Sequence, residues 1–127
     1  MRRILELFIA GDREQAWSLW AEDAVGIPPR DWPESGELQG RETIRRQFEG
    51  WNAVFGPEWT RSMRIKRARD LGEGRVLVEL GFETAGLESG VPLNEELASI
   101  YTVRDGRVVR GEFFMTWGEA RAAAGVA

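Results

Sequence analysis

The chain contains no cysteine and no histidine. Without thiols there is no disulfide, no thiolate nucleophile and no zinc–thiolate or iron–sulfur site. Without imidazole there is no Ser-His or Cys-His catalysis and no histidine-ligated metal. Lys66 is the one lysine, so Schiff-base chemistry has a single candidate. It lies among Arg61, Arg64, Arg67 and Arg69, where a charged strand edge facing water accounts for it. Any general acid or base must therefore be Asp, Glu, Tyr or Lys. No metal site is expected, because the adjacent acids Glu95 and Glu96 would point to opposite faces of a strand and cannot converge on one ion. No stretch approaches the roughly 20 apolar residues of a membrane span. The opening residues, Met1 to Ala10, imitate the basic start and apolar core of an export signal. Glu6 interrupts that core, and Leu5 and Phe8 recur at helical spacing, so a first helix and a cytoplasmic protein are expected.

The residues that are present describe an ordinary globule. The 127 residues are 43% hydrophobic and 30% charged, a balance that supports one folded domain, 1–127, with a real core. The net charge of −4 argues against a nucleic-acid partner. Six tryptophans are many for this length; they can line a core or a concave pocket.

Periodicity and turn residues divide the chain. Ile4, Leu5, Leu7 and Phe8 give the first helix one apolar face. Asp12 with Gln15 resembles a capping box opening a second helix, with Ala16, Trp17, Leu19 and Trp20 inward. Val25 to Ile27 reads as a short strand, and the turn-rich segment from Pro28 to Gly36 as a loop. Ile44, Phe48, Trp51 and Phe55 form one stripe on a third helix after Gly40, ended by Gly56-Pro57. Four strands follow, at Ser62–Asp70, Arg75–Thr84, about Leu93–Val103 and Val108–Met115. Asp105-Gly106 is a strong two-residue hairpin signal. Thr116 to Glu119 fits a capping box before a short alanine-rich helix.

Three segments, Ala10 to Trp17, Gly40 to Phe48 and Tyr101 to Gly125, come in an order that resembles the SnoaL-like branch of the nuclear transport factor 2-like superfamily. The resemblance implies an α+β fold: a strongly curved antiparallel sheet wrapped around three helices into a cone, with a pocket at its open end. Strand alternation then assigns faces. Val76, Val78, Leu80 and Phe82 face the helices, as do Glu95, Leu97, Ser99, Tyr101, Val103, Gly111, Phe113 and Met115. Leu77, Glu79, Ala98, Ile100, Glu112 and Phe114 face outward.

The same resemblance locates where relatives keep their catalytic groups. The ketosteroid-isomerase-like positions hold Ile4, Pro28 and Ser99. The limonene-epoxide-hydrolase-like positions hold Leu97 and Ser99, and the last-strand acid of SnoaL-type cyclases is replaced by Phe113. Scytalone-dehydratase-like chemistry needs histidine. A slip of one residue would bring Glu112 inward instead, at the expense of the apolar set.

Three readings stay open. In the first, the chain binds a small hydrophobic molecule without a cofactor. Trp20, Phe48, Trp51, Phe55, Met63, Phe82, Phe113 and Met115 line the cone, Ser99 and Tyr101 are its polar handles, and Trp32 lies on a lid loop. In the second, it is a cofactor-independent cyclase, isomerase or lyase using Tyr101 with Glu95 or Asp31. A carboxylate within reach of the Tyr101 hydroxyl would favour that reading. In the third, the cone is filled by its own aromatics and the chain is an assembly subunit. A homodimer is expected, because Leu77, Ala98, Ile100 and Phe114 would otherwise leave an apolar patch in water.

Overall fold

The computed structural model describes residues 13–29, 36–55, 63–82 and 96–126, with the side chains of Arg13, 51–55, Met63 and Phe82 left aside. The elements are α1 (Arg13–Ser18), β1 (Trp20–Ile27), β2 (Leu38–Gln39), α2 (Arg41–Phe55), β3 (Met63–Gly72), β4 (Arg75–Phe82), β5 (Glu96–Arg104), β6 (Arg107–Phe114) and α3 (Trp117–Ala124). The strands form one six-stranded sheet in the order β2-β1-β6-β5-β4-β3. The α+β class and the run of antiparallel strands are as expected. The expected first helix, the loop with Asp31 and Trp32, the Gly56-Pro57 stop and Glu95 lie outside the described residues.

The two hairpin turns follow from their glycines. Glu73 and Gly74 have φ of 55° and 78°, and Asp105 and Gly106 have 52° and 77°. These are the left-handed pairs that a tight two-residue connection requires. At Gly74 a Cβ would stand 2.5 Å from the Val103 carbonyl oxygen, whose residue returns a hydrogen bond from its N–H to the Gly74 oxygen at 2.8 Å. This turn is thus seated against the end of β5.

Sheet register bears out the assigned faces at the described positions of β4, β5 and β6. Val78 pairs with Ser99 and Val76 with Tyr101, and these continue to Phe113 and Gly111 on β6. Val78, Leu80, Tyr101 and Phe113 are buried in one cluster with Ala16, Trp17, Trp20 and Ile44 from the helical side. Glu112 pairs with Ile100, on the opposite face, so the one-residue slip does not occur. β3 is an edge strand, and Arg64, Lys66 and Arg67 on it are exposed; charge on an edge discourages pairing with another chain.

Two readings of the N-terminal region are corrected. α1 ends at Ser18 and Trp20 opens β1; Trp20 is still buried, but from a strand. β1 runs eight residues rather than three and lies parallel to β6, with a register shift between Trp20 and Val25. The acids Glu22 and Asp23 fall on this irregular stretch and are exposed.

Glycine on both β1 and β6 makes the concave face shallow where they meet. Gly26 pairs with Gly111. A Cβ at Gly26 would sit 3.0 Å from Ile44 Cγ1, and one at Gly111 would sit 3.0 Å from Trp20 Cη2. Helix α2 and the Trp20 indole therefore rest directly on bare backbone.

The convex face is the main correction. Leu77, Ala98 and Ile100 are buried there beneath Ala120 of α3, with Leu71, Phe114, Trp117, Ala124 and Val126 packed around them. The apolar set that motivated a homodimer is covered by the chain itself and makes no argument for a second copy. α3 is fixed by its caps. Thr116 Oγ1 accepts from the Glu119 N–H at 3.1 Å, and Gly125 closes the helix at φ 73°, with N–H bonds from Gly125 to Ala122 and from Val126 to Arg121. Trp117 Nε1 donates to the Leu80 carbonyl at 2.9 Å.

Glu79 also faces α3. It meets Arg121, with Oε2 2.7 Å from Nη2. Arg110 pairs along its own strand with Glu112 at 2.9 Å.

Candidate functional site

The concave face holds a closed circuit of five rings. Trp17 and Trp20 are 5.3 Å apart between centroids, Trp20 and Tyr101 5.9 Å, Tyr101 and Phe113 6.1 Å, Phe113 and Phe48 5.1 Å, and Phe48 and Trp17 5.5 Å. All but the first are edge-to-face, the arrangement the ring quadrupoles favour. α1 contributes Trp17 and α2 contributes Phe48, while β1, β5 and β6 contribute the other three. The cluster thus ties both concave-side helices to three strands of the sheet.

The structure brings Trp20, Phe48, Ser99, Tyr101 and Phe113 together, as the sequence pattern implied. Trp51 and Phe55 continue the α2 helix and Met63 and Phe82 belong to β3 and β4, but their side chains are outside the description. Met115 is half-buried just beyond β6. Glu95, Asp31 and Trp32 lie outside the described residues. Trp17, which reasoning from the sequence placed in the core only, is a member of the circuit. Its signal was its place beside Ala16 on the apolar side of the helix after Asp12.

Polar atoms are few in this cluster. Tyr101 is 4% exposed, and burial pushes its phenol up to about 12, with the Ser99 hydroxyl opposing part of that rise. The phenol is therefore neutral at physiological pH and available as a donor, not as a base. Ser99 and Trp20 are each 1% exposed. Ser99 Oγ lies close enough to act on the phenol yet makes no well-formed hydrogen bond, and Trp20 Nε1 has no partner. Among the described residues, the one buried carboxylate is Glu79, and it is on the convex face against α3. No carboxylate described here stands beside Tyr101.

Other features fit structural roles. Arg45 of α2 pairs with Glu14 of α1, and that contact holds the Glu14 carboxyl below its usual range. Arg41 Nη1 donates to the Trp20 carbonyl at 3.2 Å, fixing the start of α2 to the start of β1. An open cleft of about 350 Å³ lies between the ends of β1 and β6 and the flank of α3, lined by residues including Pro28, Glu112, Phe114 and Glu119 and by Phe113, which it shares with the aromatic circuit. The Glu112 carboxylate there is already engaged by Arg110. Among the described residues no group of three acidic side chains could hold a metal ion, and no helix is long and apolar enough to cross a membrane.

Comparison with solved structures finds the same fold repeatedly. Bal32a, from a soil-derived mobile gene cassette, is 24% identical, covering 88% of this chain and 82% of its own with a TM-score of 0.61. A cystatin-like-fold protein of unknown function from Xanthomonas campestris is 21% identical, covering 87% and 82% with a TM-score of 0.66. A Sinorhizobium meliloti protein provisionally assigned as a polyketide cyclase is 21% identical, covering 86% and 87% with a TM-score of 0.60. No match is found among proteins with curated descriptions. The sequence pattern of the SnoaL-like domain matches residues 1–111. That match takes in both helices that carry the aromatic circuit and every strand but the last few residues of β6, and so the chain belongs to the SnoaL-like domain family.

Proposed function

We propose that this protein binds a small, largely apolar, ring-containing molecule on the concave face of its sheet. The observation that carries this reading is a set of deeply buried polar atoms, Trp20 Nε1 and Ser99 Oγ, left unpaired beside a neutral tyrosine among aromatic rings. Buried polar groups are nearly always satisfied, and a bound molecule with a polar edge would satisfy these. An apolar ligand gains roughly 25 cal/mol for each Å² it buries there. A charged one would lose its hydration with no cation described on that face to compensate. The test is intrinsic fluorescence of the tryptophans against steroids, flavonoids, fatty acids and sugar phosphates. Saturable quenching by ring-containing apolar compounds, weakened by Tyr101→Phe, supports the reading. Binding confined to sugar phosphates overturns it.

The closed circuit of rings supports a second reading, in which these aromatics fill the floor and the chain is an assembly subunit. Failure of every compound to quench, together with a defined oligomer in light scattering, selects it. Catalysis of the kind assigned to the Sinorhizobium relative would need Glu95 or Asp31 to reach Tyr101. Loss of turnover in Glu95→Gln or Asp31→Asn, with binding kept, would establish that alternative.

A further inference from the structure

β3 closes the sheet, with β4 on one side and no described strand on the other. It carries four cations, Arg64, Lys66, Arg67 and Arg69. Strict alternation from Arg64 would split them, turning Arg67 and Arg69 to the concave side. The register prevents this. Arg64 pairs with Gly81, the pairing shifts between Ile65 and Arg67, and Arg67 and Arg69 then stand opposite Glu79 and Leu77. Glu79 and Leu77 face α3 on the convex side, and Gly81 follows them by alternation. Lys66, at the shift itself, lies on that side too: a Cβ added at Gly81 would meet its Cε at 2.7 Å and its Cγ at 3.2 Å. A bulge thus re-aims the second half of the strand and gathers the four cations into one row.

The nearest acids do not neutralise this row. Glu79, opposite Arg67, gives its carboxylate to Arg121 at 2.7 Å. Asp70 Oδ1, at the end of the row, accepts from the Gly72 N–H at 2.8 Å. Lys66, Arg67 and Arg69 have no ion pair with any described residue, in a protein whose net charge is −4. Like charges side by side on a strand are unfavourable until an anion answers them.

We propose that the β3 edge docks an extended acidic peptide segment as an added strand, with alternate carboxylates opposite Lys66, Arg67 and Arg69. An edge strand presents a row of open N–H and C=O groups. Main-chain pairing there supplies affinity, and alternate side chains supply selectivity. The cations turn away a neutral or basic strand, and equally a second copy of this edge; unlike charges directly opposed favour an acidic one. At about 3.3 Å per residue the row runs roughly 16 Å, the reach of five or six extended residues. Single-stranded nucleic acid would match the charge, but β3 carries no aromatic ring to stack a base, and the net charge repels a polyanion that extends beyond the row. The surface lies on the opposite face from the aromatic circuit, so the inference stands apart from the binding reading above.

The experiment titrates the full chain into three fluorescein-labelled probes: an octapeptide alternating aspartate with threonine, its isomer with the four aspartates in one block, and an eight-residue oligothymidylate. Hydrogen exchange of backbone amides is followed with the first. Expected are saturable binding of the alternating peptide about ten-fold tighter than the block isomer, slowed exchange at β3 amides, and weakening by salt. Arg67→Ala with Arg69→Ala should weaken binding about ten-fold. Arg104→Ala with Arg107→Ala, an equal loss of charge from exposed positions on β5 and β6, should change it less than two-fold. Equal binding of the two peptides, equal losses in the two double variants, or unchanged exchange at β3 overturns the proposal. So does tighter binding of the oligothymidylate, which would make the row a nucleic-acid surface. The peptide comparison needs no variant, so a double variant that fails to fold leaves the test intact.

Discussion

Glu79 on β4 and Arg121 on α3 meet behind the sheet, where the carboxylate is 2% exposed and the arginine side chain 33%. The contact is close but incompletely satisfied. Oε2 lies off the line of a well-formed hydrogen bond, and Arg121 Nε has no acceptor. This asymmetry makes the two single substitutions unequal. Arg121→Ala strands a buried carboxylate and is expected to cost about 3 kcal/mol. Glu79→Ala leaves a guanidinium that can turn to water and should cost less. Replacing both, as Glu79→Leu with Arg121→Met, should be close to neutral, since a poorly satisfied buried pair adds little net stability. Urea denaturation of the three variants checks this order; equal losses for the two single variants would contradict it.

Tyr101 makes the protein sensitive to alkali in a specific window. Its phenol is raised from 10 to about 12 by burial. Below pH 10 both folded and unfolded chains hold the proton and the group contributes no pH dependence. Between pH 10 and about 12 the unfolded chain ionises first, so stability falls by about 2–3 kcal/mol across that window. As the chain has one tyrosine, tyrosinate absorbance near 295 nm reports this residue alone. Ionisation delayed until the protein unfolds is expected, and Tyr101→Phe should flatten the stability profile over the same range.

Thr116→Ala removes the side-chain oxygen that accepts from Glu119 N–H. A lost N-cap costs about 0.5–2 kcal/mol. Calorimetry should show lower thermal stability, and fluorescence titration should show unchanged ligand affinity. Full stability with lost binding would place Thr116 in the site.

Gly111→Ala inserts a methyl group 3.0 Å from Trp20 Cη2 and 3.3 Å from Phe113 Cζ. Neither ring has room to retreat within the circuit, so overpacking of about 1–3 kcal/mol is expected. Gly118→Ala is the control, because nothing lies within 4 Å of its added Cβ; its exposed helical position should gain up to about 1 kcal/mol.

How much of this was legible beforehand depends on the range of the interaction. Asp105-Gly106, the Thr116 cap and the alternation of Val76, Val78 and Leu80 are local signals, and each is where the pattern placed it. The neighbourhood of Ser99, Tyr101 and Phe113 was legible for the same reason, since a strand period of two fixes which side chains share a face. The length of β1 was not. Ala21, Glu22 and Asp23 show no alternation, and the strand is specified by hydrogen bonding to β6 far along the chain. The cover over Leu77 and Ile100 was hidden because an alanine-rich helix carries almost no apolar periodicity to reveal its buried side. Nor could the unpaired Trp20 N–H be read from a string of letters, because whether a donor is satisfied is decided by remote segments.

The parallel pairing of β1 with β6 also dictates an order of events during synthesis. Trp20 is matched to Val108, and Gly26 to Gly111, so the first strand emerges from the ribosome long before its neighbour exists. β3, β4 and β5 can join as successive hairpins, but β1 and α2 have no sheet to rest on until residues 107–114 are free. Assembly of the concave face therefore belongs to the end of translation. A chain stopped at the Asp105-Gly106 turn would carry most of the aromatic circuit with nothing to hold it, and a nascent-chain protease assay should find α1, β1 and α2 of such a product open.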